Sequence, residues 1–186
     1  MIVDHRGAEI VLQEVLETER LRLRRLEQTD LDVHYKRVFA DPDVMRTLRG
    51  GVPLTRSEFE GRVRKSFFDH WKRHGFGPWV VERKDDARLI GHCGLRYWPD
   101  STDVELFYAI ERPAWGNGYA TEAASASVAA GFGALALERI SACTSPGNSA
   151  SARVLEKLGM RRVGECDLKG MRVEMYAMHR SEWHAV

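Results

Sequence analysis

Gly116 and Gly118 bracket Asn117 in the segment WGNGYATEA, where an alternating stretch, DVELFYAI at 103 to 110, gives way to a long run of small residues. Glycines at a strand-to-helix turn let the backbone approach a ligand closely. The first turn of the helix that follows presents four N–H groups with no intrahelical partner and a partial positive charge. The chemistry this suits is anion binding, phosphate above all. The lysine of a P-loop is absent and the glycine spacing is not GxGxxG, so neither a nucleotide triphosphatase nor a dinucleotide fingerprint fits. His70 and His74 have HxxxH spacing, but Trp71, Lys72 and Arg73 lie between them without the glutamate of a zinc protease, and the pair reads as a solvated helix end. Cys93, Cys143 and Cys166 form no CxxC pair and are odd in number, which points to reduced structural thiols and no metal.

The elements that must position this loop follow from periodicity. Leu21 and Leu23 alternate with arginines ahead of Leu26 as in a half-buried strand. Leu31, Tyr35 and Val38 then recur at helical spacing, and a short helix is expected near Val44 to Leu48. Thr55 and Glu58 form a capping box that opens a helix with the stripe Phe59, Val63, Phe67 and Trp71, ended by Gly75. PWVVERK, RLIGHCGLRYW and DVELFYAI, joined by short turns, predict an antiparallel meander. A helix from about Gly118 to Leu135, a strand at 139 to 145, a helix at 148 to 158 and two last strands complete the chain. The expected fold class is α/β (α+β): a mixed, mostly antiparallel twisted sheet flanked by helices, with a central β-α-β crossover carrying the glycine loop. Residues 1–16 read as an N-terminal extension and 17–186 as one domain.

Composition narrows the partners. With 44% hydrophobic and 30% charged residues the chain is globular, and 28 Lys plus Arg against 27 Asp plus Glu leave a net charge of +1. No global field steers it to nucleic acid or to an anionic membrane, so a polyanion must be held by a local device. The first twenty residues carry acids and no apolar core of a signal peptide, and no run approaches the ~18 apolar residues of a membrane span. A cytoplasmic protein is expected.

Five segments, TERLRLRRLEQTD, ADPDVMRTL, LIGHCGLR, WGNGYATEA and NSASARVLEKLGM, fall in an order and spacing that resembles the GNAT superfamily of acetyl-CoA-dependent N-acetyltransferases, and within it the RimJ/RimL-like branch. The resemblance runs from residue 18 to about 183. It implies acetyl-CoA as co-substrate, with its pyrophosphate on the amides of Gly116, Asn117, Gly118, Tyr119 and Ala120 and a hydroxyl from Thr121. It places pantetheine along the strand end at Tyr108 and Ile110 and on Asn148, which also reads as a helix N-cap. Trp115 stands where the superfamily usually has Gln or Arg, a departure that leaves contacts made by loop amides intact.

The resemblance further implies direct transfer to an amine in a ternary complex, which requires a neutral amine, an oxyanion stabiliser and a proton for the departing thiolate. The strand amide near Ile110 is the family-like oxyanion donor. Many members take the thiolate proton from a tyrosine seven residues after the asparagine, but that position is Leu155. Ser151, at Asn-x-x-Ser spacing, is the implied substitute, with Tyr108 and Tyr119 as alternatives. Glu105 is the expected base, directly or through water. Arg46, Trp79 and His92 are expected on the acceptor side, and the acceptor is a peptide or protein N-terminus or a small amine. The alternative function is a non-catalytic acyl-CoA-binding regulatory module. A monomer or homodimer fits either.

Overall fold

The computed structural model describes residues 13–48, 51–99, 101–168 and 170–184, so the expected N-terminal extension lies outside the described residues as far as residue 12. From there Val15–Glu17 (β1) pairs antiparallel with Leu21–Arg24 (β2) and adds an outer strand inside the stretch read as extension. Leu21 and Leu23 are fully buried, as their alternation with arginines requires. Leu31–His34 (α1) runs on through a π-helical turn at Tyr35–Phe39, and Pro42–Arg46 (α2) is capped by the Asp41 side chain, which accepts from the amides of Asp43 and Val44.

The capping box is present: Thr55 Oγ1 accepts from Glu58 N–H and the Glu58 carboxylate accepts from Thr55 N–H, opening Arg56–Val63 (α3). A π-helical stretch at Arg64–Asp69 leads into His70–His74 (α4), closed by Gly75 in the left-handed conformation. The wider turn has a cause in the stripe itself. Phe59, Val63, Phe67 and Trp71 are each four residues apart, a spacing that drifts by about 40° per step on a 3.6-residue helix. The π stretch takes up the drift, and all four side chains are buried.

Pro78–Arg83 (β3), Leu89–Tyr97 (β4) and Val104–Ile110 (β5) form the expected meander. Tyr119–Phe132 (α5) crosses over to Arg139–Thr144 (β6), Ser149–Lys157 (α6) follows, and Arg161–Asp167 (β7) and Arg172–His179 (β8) pair last. Among the described residues eight strands lie in the order β1-β2-β3-β4-β5-β6-β8-β7, and of these only β5 and β6 are parallel neighbours. The mixed, mostly antiparallel sheet and its crossover are those read from the sequence.

One face of the sheet carries α5, whose Ala123, Ala124 and Ser127 are buried and bring its backbone close to Leu95, Leu106 and Ile140. The other is covered by α1 to α4, with Phe39, Phe59, Val63 and Phe67 against Val80, Leu89 and Ala109. At 25 to 30 cal/mol per Å², burying side chains of this size contributes roughly 2 kcal/mol each. The two layers thus cover β5 on both faces, with Leu106 and Ile110 on one side and Ala109 on the other.

Candidate active site

The glycine loop has the conformation its sequence demands. Gly116 and Gly118 have φ of 79° and 81°, and Gly118 is the N-cap of α5, so its helix start carries no capping side chain. A Cβ at Gly116 would meet nothing within 4 Å, which leaves the backbone open to a ligand. The Asn117 side chain closes the turn, donating to the carbonyls of Ala114 and Trp115 at 3.2 and 3.0 Å. Tyr119, Ala120 and Thr121 form the first helical turn, where amides lack intrahelical acceptors.

Arg20, Glu122 and Thr18, which the sequence does not mark, and Trp115, marked there only as a departure, secure this loop. Arg20 donates to the Asn117 carbonyl at 3.0 Å, pairs with Glu122 at 2.6 Å, and lies 4.7 Å above the Tyr119 ring. Glu122 also accepts from Thr18 Oγ1 at 2.6 Å, and these partners hold its carboxyl below the usual range against the opposing effect of burial. Trp115 donates its indole N–H to the Ile110 carbonyl at 2.7 Å, fixing the loop to the end of β5. No signal in a single sequence links Arg20 to Glu122, about a hundred positions away. Trp115 was visible only as a departure from the superfamily pattern.

Beyond the loop the sheet splits. β5 and β6 share a single register pair, Glu105↔Ser141, and past it each strand runs without a partner in the other. Glu111 N–H bonds to the Ile90 carbonyl, so by the alternation of backbone groups along a strand Ile110 and Tyr108 turn theirs toward the gap. The closed end of this fork is pinned by Ser141, which accepts from Trp98 Nε1 at 2.8 Å and donates to the Val104 carbonyl at 3.0 Å.

On the α5 and α6 face, Asn148 Oδ1 caps α6 by accepting from Ser151 N–H, while its Nδ2 donates to the Thr47 carbonyl at 3.3 Å. Tyr108 Oη is 2.9 Å from Ser151 Oγ and 3.2 Å from the Ser151 carbonyl. On the opposite face Glu105 is buried, with Oε2 held by Arg96 Nε and Nη2 at 3.0 Å and Oε1 3.8 Å from Cys143 Sγ. Arg96 is itself fixed 3.9 Å over the Phe107 ring. An anion cradle at the end of one strand, a gap in the sheet along that strand, and polar groups on both sides of the gap are what a long acyl carrier and an incoming acceptor would require.

Residues 20–161 match the family model described as Acetyltransferase (GNAT) domain. The chain belongs to the GNAT acetyltransferase family. It is 32% identical over 174 residues to a Bacillus subtilis strain 168 protein named uncharacterized N-acetyltransferase YnaD, covering 90% of this chain and 98% of that one. Among solved structures, the GNAT-family acetyltransferase of Bacillus anthracis superposes with a TM-score of 0.76 at 28% identity, over 90% of this chain and 99% of that chain. The ribosomal L7/L12 alpha-N-protein acetyltransferase RimL, solved in complex with coenzyme A, superposes with a TM-score of 0.74 over 89% of this chain and 98% of that chain; at 16% identity it shows the shared fold. The protein is therefore an acetyl-CoA-dependent acyltransferase.

The acetyltransferase places its remaining candidates unevenly. Arg46 lies on α2, which bridges the fork: Asp43 pairs with Arg112 past β5, and Thr47 accepts from Asn148 at the start of α6. Its side chain is exposed and 3.4 Å from Asp43. Trp79 is fully covered, edge-on to Trp71 in the α5-side core. His92 is buried on the other face, its Nδ1 3.0 Å from His34 Nε2. The HxxxH histidines do not form a solvated helix end. His70 is buried, its Nδ1 donating to the Phe76 carbonyl and its Nε2 accepting from Tyr97 N–H. Cys93 packs on Ser127, and burial pushes its thiol up to about 12, consistent with a structural cysteine. Among the described residues no cluster of three or more His, Cys, Asp or Glu is arranged to hold a metal, and no helix is long and apolar enough to cross a membrane.

Proposed function

We propose that this acetyltransferase moves the acetyl group of acetyl-CoA directly to a primary amine, in the manner of the RimJ/RimL-like branch, the acceptor being a peptide or protein N-terminus or a small amine. The observation that carries the reading is the continuity of β5. Its C-terminal end adjoins a helix N-terminus shaped by two left-handed glycines, and beyond its single register pair with β6, Glu105↔Ser141, it borders a gap in the sheet. The name of YnaD and the coenzyme A complex of RimL support it.

Acetyl-CoA supplies an activated thioester. The amides of Gly116, Asn117, Gly118, Tyr119 and Ala120, with the Thr121 hydroxyl, hold its pyrophosphate. Tyr108, Ile110 and Asn148 offer polar groups along the gap for the pantetheine arm. With the Ile110 carbonyl engaged by Trp115, its N–H is the group left to stabilise negative charge at the reacting carbonyl. Ser151 holds the proton for the thiolate. Glu105 takes up the amine proton at Oε1, the oxygen that Arg96 does not bind, directly or through water. The acceptor enters from the α2 side, past Arg46.

An acceptor panel of peptides beginning with different residues and of small amines, each mixed with acetyl-CoA and read by free-thiol release, tests this reading. Acceptor-dependent release with at least one class is the expected result. Tight acetyl-CoA binding with no release for any amine would overturn amine transfer.

A further inference from the structure

The hydroxyl pair across the fork bears on how the thiolate is protonated. Tyr108 projects from β5 on the α6 face, and Ser151 stands in the first turn of α6, so their 2.9 Å contact joins β5 to the helix that follows β6. Ser151 N–H is committed to Asn148 Oδ1, which fixes the serine backbone relative to the cap. A serine hydroxyl has one proton to give and two lone pairs to receive with. Tyr108 is largely enclosed, and burial raises its phenol above the ordinary range, so it remains a donor wherever the enzyme works. Its one proton can go to the Ser151 carbonyl at 3.2 Å or to Ser151 Oγ at the shorter 2.9 Å, a contact in which either hydroxyl can be the donor.

We propose that Tyr108 is a positioning residue for acetyl transfer: its hydroxyl donates to Ser151 and thereby turns the Ser151 proton away from the fork wall and toward the sulfur of the cofactor. The inference rests on the assignment of Ser151 as proton donor in the reading above. When the carbon–sulfur bond breaks, its electron pair stays on sulfur and the Ser151 Oγ–H proton passes to it. Ser151 Oγ takes a proton from water in the same step, so no alkoxide is left, and the proton that the acceptor amine releases to Glu105 or to water balances it through solvent. Tyr108 keeps its own proton throughout, so Phe can take its place sterically but not as a donor.

The test uses coenzyme A itself as the probe. A hydroxyl aimed at sulfur stabilises the thiolate, so the thiol of bound coenzyme A titrates lower than it would without that donor. Ultraviolet absorbance of the thiolate in the complex, followed against pH, should shift upward by about one unit in Ser151→Ala and by a similar amount in Tyr108→Phe, with no further shift in the double variant. Turnover with acetyl-CoA and the best amine of the panel should fall about tenfold in each single variant at unchanged KM for acetyl-CoA, again without addition in the pair. A normal thiol titration in Ser151→Ala removes the serine assignment and the inference with it. A shift in Ser151→Ala but none in Tyr108→Phe overturns the role of Tyr108 alone. Additive shifts in the double variant would show that Tyr108 acts independently of Ser151 and overturn it as well.

Discussion

Acidification from pH 7.5 to 5 should cost the folded state about 4 kcal/mol through two histidines that the reaction does not use. His34 and His92 are buried, with ring centroids 5.1 Å apart and Nε2 of the first 3.0 Å from Nδ1 of the second. Phe39, Phe59 and Phe67 surround His34, Phe107 lies against His92, and His34 Nδ1 has no hydrogen-bond partner among the described residues. The pair works as one donor and one acceptor only while at least one ring is neutral, and burial penalises a charge on either. Burial holds His34 down at about 3, opposed weakly by Asp30. His92 is held far below its ordinary value by burial first and then by His34 and Arg96. In the unfolded chain both titrate near 6.5.

The unfolded state therefore takes up protons that the native state refuses. The contribution of neutral burial is complete above pH 6.5 and is lost as pH falls below it toward the folded values. At pH 5 each unfolded imidazole has gained roughly 2 kcal/mol, which gives about 4 kcal/mol for the pair against a typical total stability of 5–15 kcal/mol. Asp30 and Glu122, held low in the folded state, add acid sensitivity only below about pH 5, so the window above it reports on histidine. His70, held at about 4 and using both ring nitrogens in its neutral form, adds to the loss in the same direction over the same window.

Urea unfolding at a series of pH values should give a slope of about 1.2 kcal/mol per pH unit for each buried histidine between pH 6 and 5, and His34→Leu should remove one such unit. Because the variant could fail to fold, the ring C–H resonances of the wild-type protein give an independent reading. A resonance of either ring moving with a midpoint near 6.5 in the folded protein would refute the burial argument outright.

Three further outcomes follow from the site. Gly118→Val puts a β-branched residue at a φ of 81°, a cost of at least 1–2 kcal/mol in the loop, and should weaken acetyl-CoA binding tenfold or more by calorimetry while circular dichroism stays the same; undiminished affinity would move the pyrophosphate elsewhere. Arg20→Ala removes the donor to the Asn117 carbonyl and the partner of Glu122, so binding of acetyl-CoA should drop several-fold and the protein should melt lower; if only the melt changes, Arg20 supports the fold and not the loop. Glu105→Gln should lower kcat with the KM for acetyl-CoA preserved, and should cost on the order of 3 kcal/mol of stability because Arg96 loses a buried counter-charge; an unaltered pH–rate profile would dismiss Glu105 as the base.

What could be read from the sequence was whatever is periodic or local. Alternation gave β2 to β5, the Thr55 and Glu58 spacing gave a helix start, and the glycine pair gave the anion loop, because each depends on residues a few positions apart. The contacts that turn the loop into a site span long separations and were not legible: Arg20 to Asn117, Tyr108 to Ser151, Asp43 to Arg112 and Asn148 to Thr47. The histidines show the same limit from the opposite side. His70 lay within a basic run that reads as solvated, yet the turn after Gly75 brings Phe76 and Tyr97 to its two nitrogens.

Glu105 makes the division sharpest. Its place on a strand was evident from DVELFYAI, but whether that carboxylate is a base or a structural anchor depends on Arg96, nine residues away across the β4–β5 turn and directly opposite it in register. The pairing gives the two carboxylate oxygens different duties. Oε2 is fixed by the guanidinium, while Oε1 faces the thiol of Cys143 on the far side of the fork. Removing Arg96 and removing Glu105 should therefore differ in kind: Arg96→Met leaves the carboxylate present but unanchored, so an enzyme that needs Glu105 for position as well as charge loses turnover in both variants, whereas one that needs only the charge retains it in the first.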